Sequence, residues 1–140
     1  MNVKKVIYIA GVIQSGAVAE DFDVSHFENK FFDHMTIKFG VESMPAFLGR
    51  EFQFEINQMF FDNAACAVTG KVLDKEIEDF MATVGQHAHI TVATSTGVRP
   101  VYSNILIENE EPVSVKPVIV NMKVGAFCVF EDDSTGWIFE

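Results

Sequence analysis

Apolar and polar positions alternate with a period of two over much of the chain, which is the signature of half-buried strands. Asp33–Phe39 (DHMTIKF), Glu51–Phe61 (EFQFEINQMFF) and Ala88–Thr94 (AHITVAT) alternate most clearly. Val6–Ile13, Ala64–Val72, Val101–Ile107, Val113–Lys123 and Ala126–Phe130 are further strand-like runs, with Trp137–Phe139 as a last edge. Asp62-Asn63 is a turn pair between two of them. Helical periodicity occurs twice. Ser25 can cap a helix through Phe32, with Glu28 at the capping-box position and Phe27, Phe31 and Phe32 on one face. Lys75–Val84 follows Asp74 as N-cap, has Glu76 and Glu78 in its first turn, and stops at Gly85. The expected order is β-α-β-β-β-α-β-β-β-β. A helix leading into a strand occurs twice, as a repeated unit.

Composition narrows the class. Hydrophobic residues make up 49% of 140 residues and 14 are Phe, which supports one cored domain over residues 1–140 and excludes intrinsic disorder. No apolar run reaches the roughly 18 residues of a membrane span. Lys4-Lys5, the apolar run after them and Ala17-Val18-Ala19 imitate a secretory leader. The β-branched content and the interruptions at Tyr8 and Gly11 favour a strand instead. Ten basic residues against 20 acidic ones repel a long polyanion such as duplex nucleic acid, but not a small phosphorylated ligand in a local pocket. Cys66 and Cys128 lie in apolar contexts and read as small core residues, as suits a reducing cytoplasm.

Two of the alternating strands carry the same tripeptide. His34-Met35-Thr36 precedes Ile37, and His89-Ile90-Thr91 precedes Val92. Residues i and i+2 share a face of a strand, so each His/Thr pair points one way and its apolar neighbours the other. Four His and seven Thr in this length give roughly 0.2 His-x-Thr tripeptides by chance. Imidazole titrates near pH 6.5, so one ring can serve as a neutral base while the other is a protonated acid. A hydroxyl two residues along can donate to a phosphate oxygen. Two such pairs across a cleft would hold a phosphodiester between acid and base without a metal.

On these residues the chain resembles the 2H phosphoesterase superfamily, in which two His-x-Thr/Ser motifs sit on the central strands of two pseudo-symmetric lobes. The segment HITVATSTGVRPVYSN is similar to the second motif region of the RNA-repair cyclic phosphodiesterases. The motifs lie 55 residues apart, which implies a shortened first lobe. Small size and acidity also resemble the phage-encoded members that degrade cyclic-oligonucleotide defence signals, which would act in the host cytoplasm. The resemblance implies an α+β fold of antiparallel sheets and two helices around a central cleft. It implies metal-independent cleavage of a 2′,3′-cyclic phosphate or a cyclic oligonucleotide, with His34, Thr36, His89 and Thr91 catalytic and no cofactor.

Other candidates follow from position. Lys38 is expected on the face of Thr36, and His87 on that of His89. Arg99, in the loop after the second motif, suits bidentate phosphate contact. Tyr8, Tyr102 and Trp137 can stack on a base. Ser103 and Asn104 are read as holding the loop, and His26 as packing or surface. His34, His87 and His89 as a metal set lack a carboxylate or thiolate to complete them. No carboxylate pair, P-loop or nucleophile elbow is present. The rival reading is a cleft that sequesters a cyclic nucleotide without cutting it. A β-rich structural protein with accidental motifs is a third.

Overall fold

The computed structural model describes residues 2–140. Its elements are β1 (Val3–Gly16), a 3₁₀ turn (Ala19–Phe22), β2 (Asn29–Lys30), β3 (His34–Phe39), β4 (Glu51–Phe61), β5 (Ala65–Val72), α1 (Lys75–Val84), β6 (His89–Thr94), α2 (Tyr102–Asn109), β7 (Val113–Phe130) and β8 (Thr135–Ile138). The strands form one antiparallel sheet in the order β2-β6-β5-β4-β7-β1-β3, with β8 paired to β7. The fold is α+β with two α-helices. No helix among the described residues is long and apolar enough to cross a membrane.

The sheet is strongly curled, and the cause is visible in its ladders. Register shifts interrupt β1–β7 at three places, and β1–β3, β4–β5, β4–β7 and β5–β6 at one each. Each bulge adds a residue to one strand, bends it and increases its twist. Pro117 has no N–H to give, and it falls where the β4–β7 ladder is broken, between the Ser114 and Val118 pairings. The accumulated bend brings β3, at one end of the sheet, within 8 Å (Cα–Cα) of β6, near the other. The concave interior is filled by Ile9, Met35, Ile37, Phe54, Ile56, Val68, Ile90, Val92, Val120, Met122 and Val124, each at most 1% exposed. Phe60, Ala65, Ala67 and Leu106 form a second, smaller cluster. Cys66 and Cys128 are buried and unbridged, and burial pushes the Cys66 thiol up to about 12.

The helix of Lys75–Val84 forms as its sequence dictates. Asp74 Oδ1 accepts from the Ile77 N–H at 3.1 Å, and Gly85 closes the helix at φ 71° with its N–H returned to Met81 and Ala82 carbonyls. Ile77 and Met81, one turn apart, are its buried residues. The helix expected over Ser25–Phe32 is not there. The segment instead supplies an edge. Phe31 and Phe32 N–H groups donate to Val92 and Thr91 carbonyls, and Asn29 and Lys30 pair with Thr94 and Ala93. Without this cover the outer edge of β6 would be unpaired. Phe32 takes φ 76°, which no helix interior accommodates, and Glu28 accepts from the Thr96 N–H at 2.9 Å rather than capping. Phe22, Val24, Phe27 and Phe32 still reach the core, so the apolar spacing served a loop laid on a sheet rather than a helix.

Two further expectations are corrected. Val101–Ile107 is not a strand. Pro100 sets the first turn, its carbonyl accepting from Ser103, and α2 follows, with Ser103 and Leu106 inward at a spacing of three. A run of seven with apolar residues at both spacings satisfies either period, and packing on Phe60 and Ala65 decided it. Val113–Lys123 and Ala126–Phe130 are one strand. Its edges are shared, with β1 on one side and β4 then β8 on the other.

The bulge between Ile56 and Gln58 carries a close approach. A Cβ on Gly70 would collide with the Glu55 carbonyl of the neighbouring strand. Backbone on both sides leaves little room to yield. Gly70→Ala is expected to destabilise the fold by about 1–3 kcal/mol, read as a lower urea midpoint at unchanged slope. An unshifted midpoint would show that the two strands can separate freely.

Candidate active site

Strand β3 places its side chains by alternation, up to a point. Met35 and Ile37 are fully buried, while His34 and Thr36 face a cavity on the other side. Then the register slips: Ala10 is opposite Thr36, but Ile9 is opposite Lys38. The extra residue is Ile37, and it reverses the alternation beyond it. Lys38, expected beside Thr36, is thereby carried to a separate groove with Ile9 and Phe80. Phe39, which unbroken alternation would place on the face of Met35 and Ile37, is 56% exposed and lines the cavity instead.

His34 is held on three sides. Its Nδ1 lies 2.7 Å from Asp33 Oδ1. The hydrogen bond with His34 holds the Asp33 carboxyl below the usual carboxylate range against some opposing burial. An ionised carboxylate only accepts, so Nδ1 carries the proton and Nε2 is left for other partners. Tyr8 stacks on the ring at 5.3 Å and 21°, and Trp137 meets it edge-on at 5.8 Å. Burial, and then the charge of Asp33, raise the Tyr8 phenol, so it remains a neutral hydroxyl.

His89 sits in a different environment. It is 8% exposed, where the His34 side chain keeps 29%. Its Nδ1 donates to the His87 carbonyl at 3.1 Å, which again leaves Nε2 free. Burial lowers its pKa; the bond to His87 works against this, and the nearby His87 and His34 rings add to it. Two residues on, Thr91 Oγ1 lies 2.7 Å from Ser103 Oγ and can donate to the Pro100 carbonyl at 3.3 Å. Ser103 is fully buried, so α2 is tied to β6 through this hydroxyl pair. When Thr91 donates its proton elsewhere, Ser103 can donate to Thr91 Oγ1.

Both pairs open on one cavity of about 370 Å³. Tyr8, Phe31, Asp33, His34, Thr36 and Phe39 line one part, and Gln86, His89, Thr91, Pro100, Val101 and Asn104 the other. Of the other candidates, Tyr8 is in the wall and Trp137 stands behind His34. His87 is exposed in the turn before β6 and contributes its carbonyl rather than its ring. Arg99 is exposed in the turn before α2 and does not line the cavity. Tyr102 turns away too: its hydroxyl donates to Asp62 at 2.6 Å and its ring packs beside Leu106. Among the described residues no three His, Cys, Asp or Glu side chains converge as a metal set.

Several lining residues escaped sequence reasoning. Asp33 adjoins His34 but precedes the strand, so alternation says nothing of it; a carboxylate beside a candidate base was the available signal. Phe39 needed the bulge. Asn104 and Val101 needed α2 to be recognised as a helix, and Phe31 needed the helix over Ser25–Phe32 to be absent.

Residues 24–131 match the family described as the fungal tRNA ligase phosphodiesterase domain. The chain belongs to that family. The family is a cyclic phosphodiesterase domain of the 2H phosphoesterase superfamily, as the two His-x-Thr motifs led one to expect. Phosphodiester cleavage is accordingly the general class of activity for this phosphodiesterase domain. No curated protein and no solved structure matches the chain.

The buried ring of this domain has a consequence for stability. His89 binds its proton less readily folded than unfolded, so its contribution is intact above the ordinary histidine value of about 6.5 and is lost as pH falls below it. His89→Gln is expected to flatten the decline of the urea midpoint as pH falls below the ordinary histidine value of about 6.5. An equally steep decline in the variant would assign the acid sensitivity to other groups.

Proposed function

We propose that this phosphodiesterase domain cleaves a nucleotide phosphodiester by acid–base catalysis shared between His34 and His89. The observation that carries the reading is that both His-x-Thr pairs line one cavity. We read residues 1–140 as a single domain, each half of which contributes one pair around a common cleft. No metal is assigned to the reaction.

The environments of the two rings divide the labour. His89 is buried, favoured in its neutral form, and has Nε2 free of its Nδ1–carbonyl bond. It is the base that takes a proton from the attacking water, or from a substrate hydroxyl. His34 has a carboxylate on Nδ1 to accompany a cationic ring, and it is the acid. The oxygen freed of its proton bonds to phosphorus, the opposite P–O bond breaks, and His34 Nε2 supplies the departing oxygen with a proton. Thr36 and Thr91 donate to the remaining oxygens as charge builds on them. With a 2′,3′-cyclic phosphate the product is a monoester, and the two rings end with their protonation states exchanged.

His34→Ala and His89→Ala are each expected to lower turnover at least about 100-fold, and Thr36→Ala or Thr91→Ala about 10- to 1,000-fold. The assay is product formation from 2′,3′-cyclic nucleotides resolved by chromatography. Tight binding with no product from the native chain would favour a sequestering protein, and near-full turnover in either histidine variant would end the two-histidine reading.

The pH profile separates the roles. A neutral His89 is required, and its pKa lies below the ordinary value, so activity should persist below about pH 6.5 before its acidic limb falls away. That limb belongs to the coupled pair rather than to one ring. An acidic limb above the ordinary histidine value would reverse the assignment of base and acid.

A further inference from the structure

Ser103 stands one layer behind the cavity wall. It is fully buried in the first turn of α2 and does not itself line the cavity. A serine in a helix commonly turns its hydroxyl back onto a carbonyl of the preceding turn. Here the hydroxyl reaches across to β6 instead. Its Oγ lies 2.7 Å from Thr91 Oγ1, and among the described residues that side chain has no other hydrogen-bond partner. Each hydroxyl of the pair has one proton to place. If Thr91 donated to Ser103, the Ser103 proton would have no acceptor in the interior, and an orphaned buried donor costs more than one hydrogen bond gains. If Ser103 donates to Thr91, both protons are used, because Thr91 has a second acceptor in the Pro100 carbonyl at 3.3 Å. Burial therefore orders the pair from Ser103 to Thr91.

From this we infer that Ser103 is a positioning residue for phosphodiester cleavage: by donating to Thr91 Oγ1 from the interior, it fixes Thr91 as a donor whose own proton is directed to the cavity wall. The inference rests on the two-histidine reading, in which Thr91 stabilises a phosphoryl oxygen, and deepens it. Pro100, the resting acceptor of that proton, is itself part of the wall. At 3.3 Å the bond from Thr91 is long and readily exchanged. The Pro100 carbonyl keeps the Ser103 N–H at 3.0 Å when Thr91 leaves it. A phosphoryl oxygen can therefore take the Thr91 proton without orphaning any group. A hydroxyl that already accepts a hydrogen bond is also a stronger donor. The benefit grows as charge builds on the phosphoryl oxygen, so Ser103 acts on turnover more than on binding. Leu106, one turn further along α2, packs with Phe60, Ala65 and Ala67 and anchors the helix from which Ser103 reaches Thr91.

The test is a double-mutant cycle of Ser103→Ala and Thr91→Ala on the intact chain, read by turnover of 2′,3′-cyclic AMP and by urea midpoints. Neutron diffraction from deuterium-exchanged crystals of the native chain accompanies it and needs no variant. Ser103→Ala is expected to lower kcat about two- to ten-fold, the scale of one net hydrogen bond, with KM changed less than about two-fold. Added to Thr91→Ala it should lower kcat no further, because the hydroxyl it acts through is already gone. The urea midpoint of the double variant should be no lower than that of Thr91→Ala, which leaves the buried Ser103 O–H without its acceptor. Nuclear density is expected to place the deuteron of the pair on Ser103 Oγ. Native kcat in Ser103→Ala, equal losses of kcat in both backgrounds, or a deuteron carried by Thr91 within the pair would overturn the inference and leave the two-histidine reading standing. No turnover by the native chain, with the deuteron on Ser103, would overturn the catalytic reading and support the ordering of the pair.

Discussion

The curl of the sheet is the constraint on which the site depends. His34 and His89 lie on strands that are five places apart in the hydrogen-bonded order, β6-β5-β4-β7-β1-β3. In a flat sheet with neighbours about 4.8 Å apart they could not share a ligand. The bulges bend β1, β4 and β7 until β3 and β6 approach each other without pairing. The interior that results is packed by Met35, Ile37, Ile90 and Val92, the residues that alternate with the His/Thr pairs. Burying the apolar faces therefore turns the polar faces outward, at the place where the two strands converge. The core and the cavity are two sides of the same pair of strands.

Within that frame the two histidines are made different by what surrounds them. One has a carboxylate at 2.7 Å and side-chain exposure; the other has a backbone carbonyl at 3.1 Å and almost none. In both cases Nδ1 is taken and Nε2 is left. Identical tripeptides thus become unlike groups, because the neighbour before His34 is an acid, whereas His89 is preceded by a turn whose carbonyl faces it. The hydroxyl of Thr91 is likewise tied to α2 through Ser103, while no such tie holds Thr36 to a helix.

Charge acts on a larger scale. No Lys or Arg is among the residues that line the cavity, and Lys38 shows how little separates this from a lysine-bearing site. One extra residue in β3 decides which of Lys38 and Phe39 faces the cavity. Phe39 there gives the cavity apolar surface, and Lys38 would have given charge.

The sequence by itself determined the strands with clean alternation, the α1 helix with its Asp74 cap and Gly85 stop, and the doubled His-x-Thr motif that led to the superfamily. These are local matters: strand period, capping and tripeptide identity are set by neighbours in the chain. Tertiary structure alone decided the rest. Ser25–Phe32 is a covering edge because β6 needed partners, and Tyr102–Asn109 is a helix because Ser103 and Leu106 found a face to pack on. Phe39 replaces Lys38 because β3 bulges against β1. In each of these, the deciding partner lies far away in sequence, so the local pattern was consistent with two answers and the distant contact chose between them.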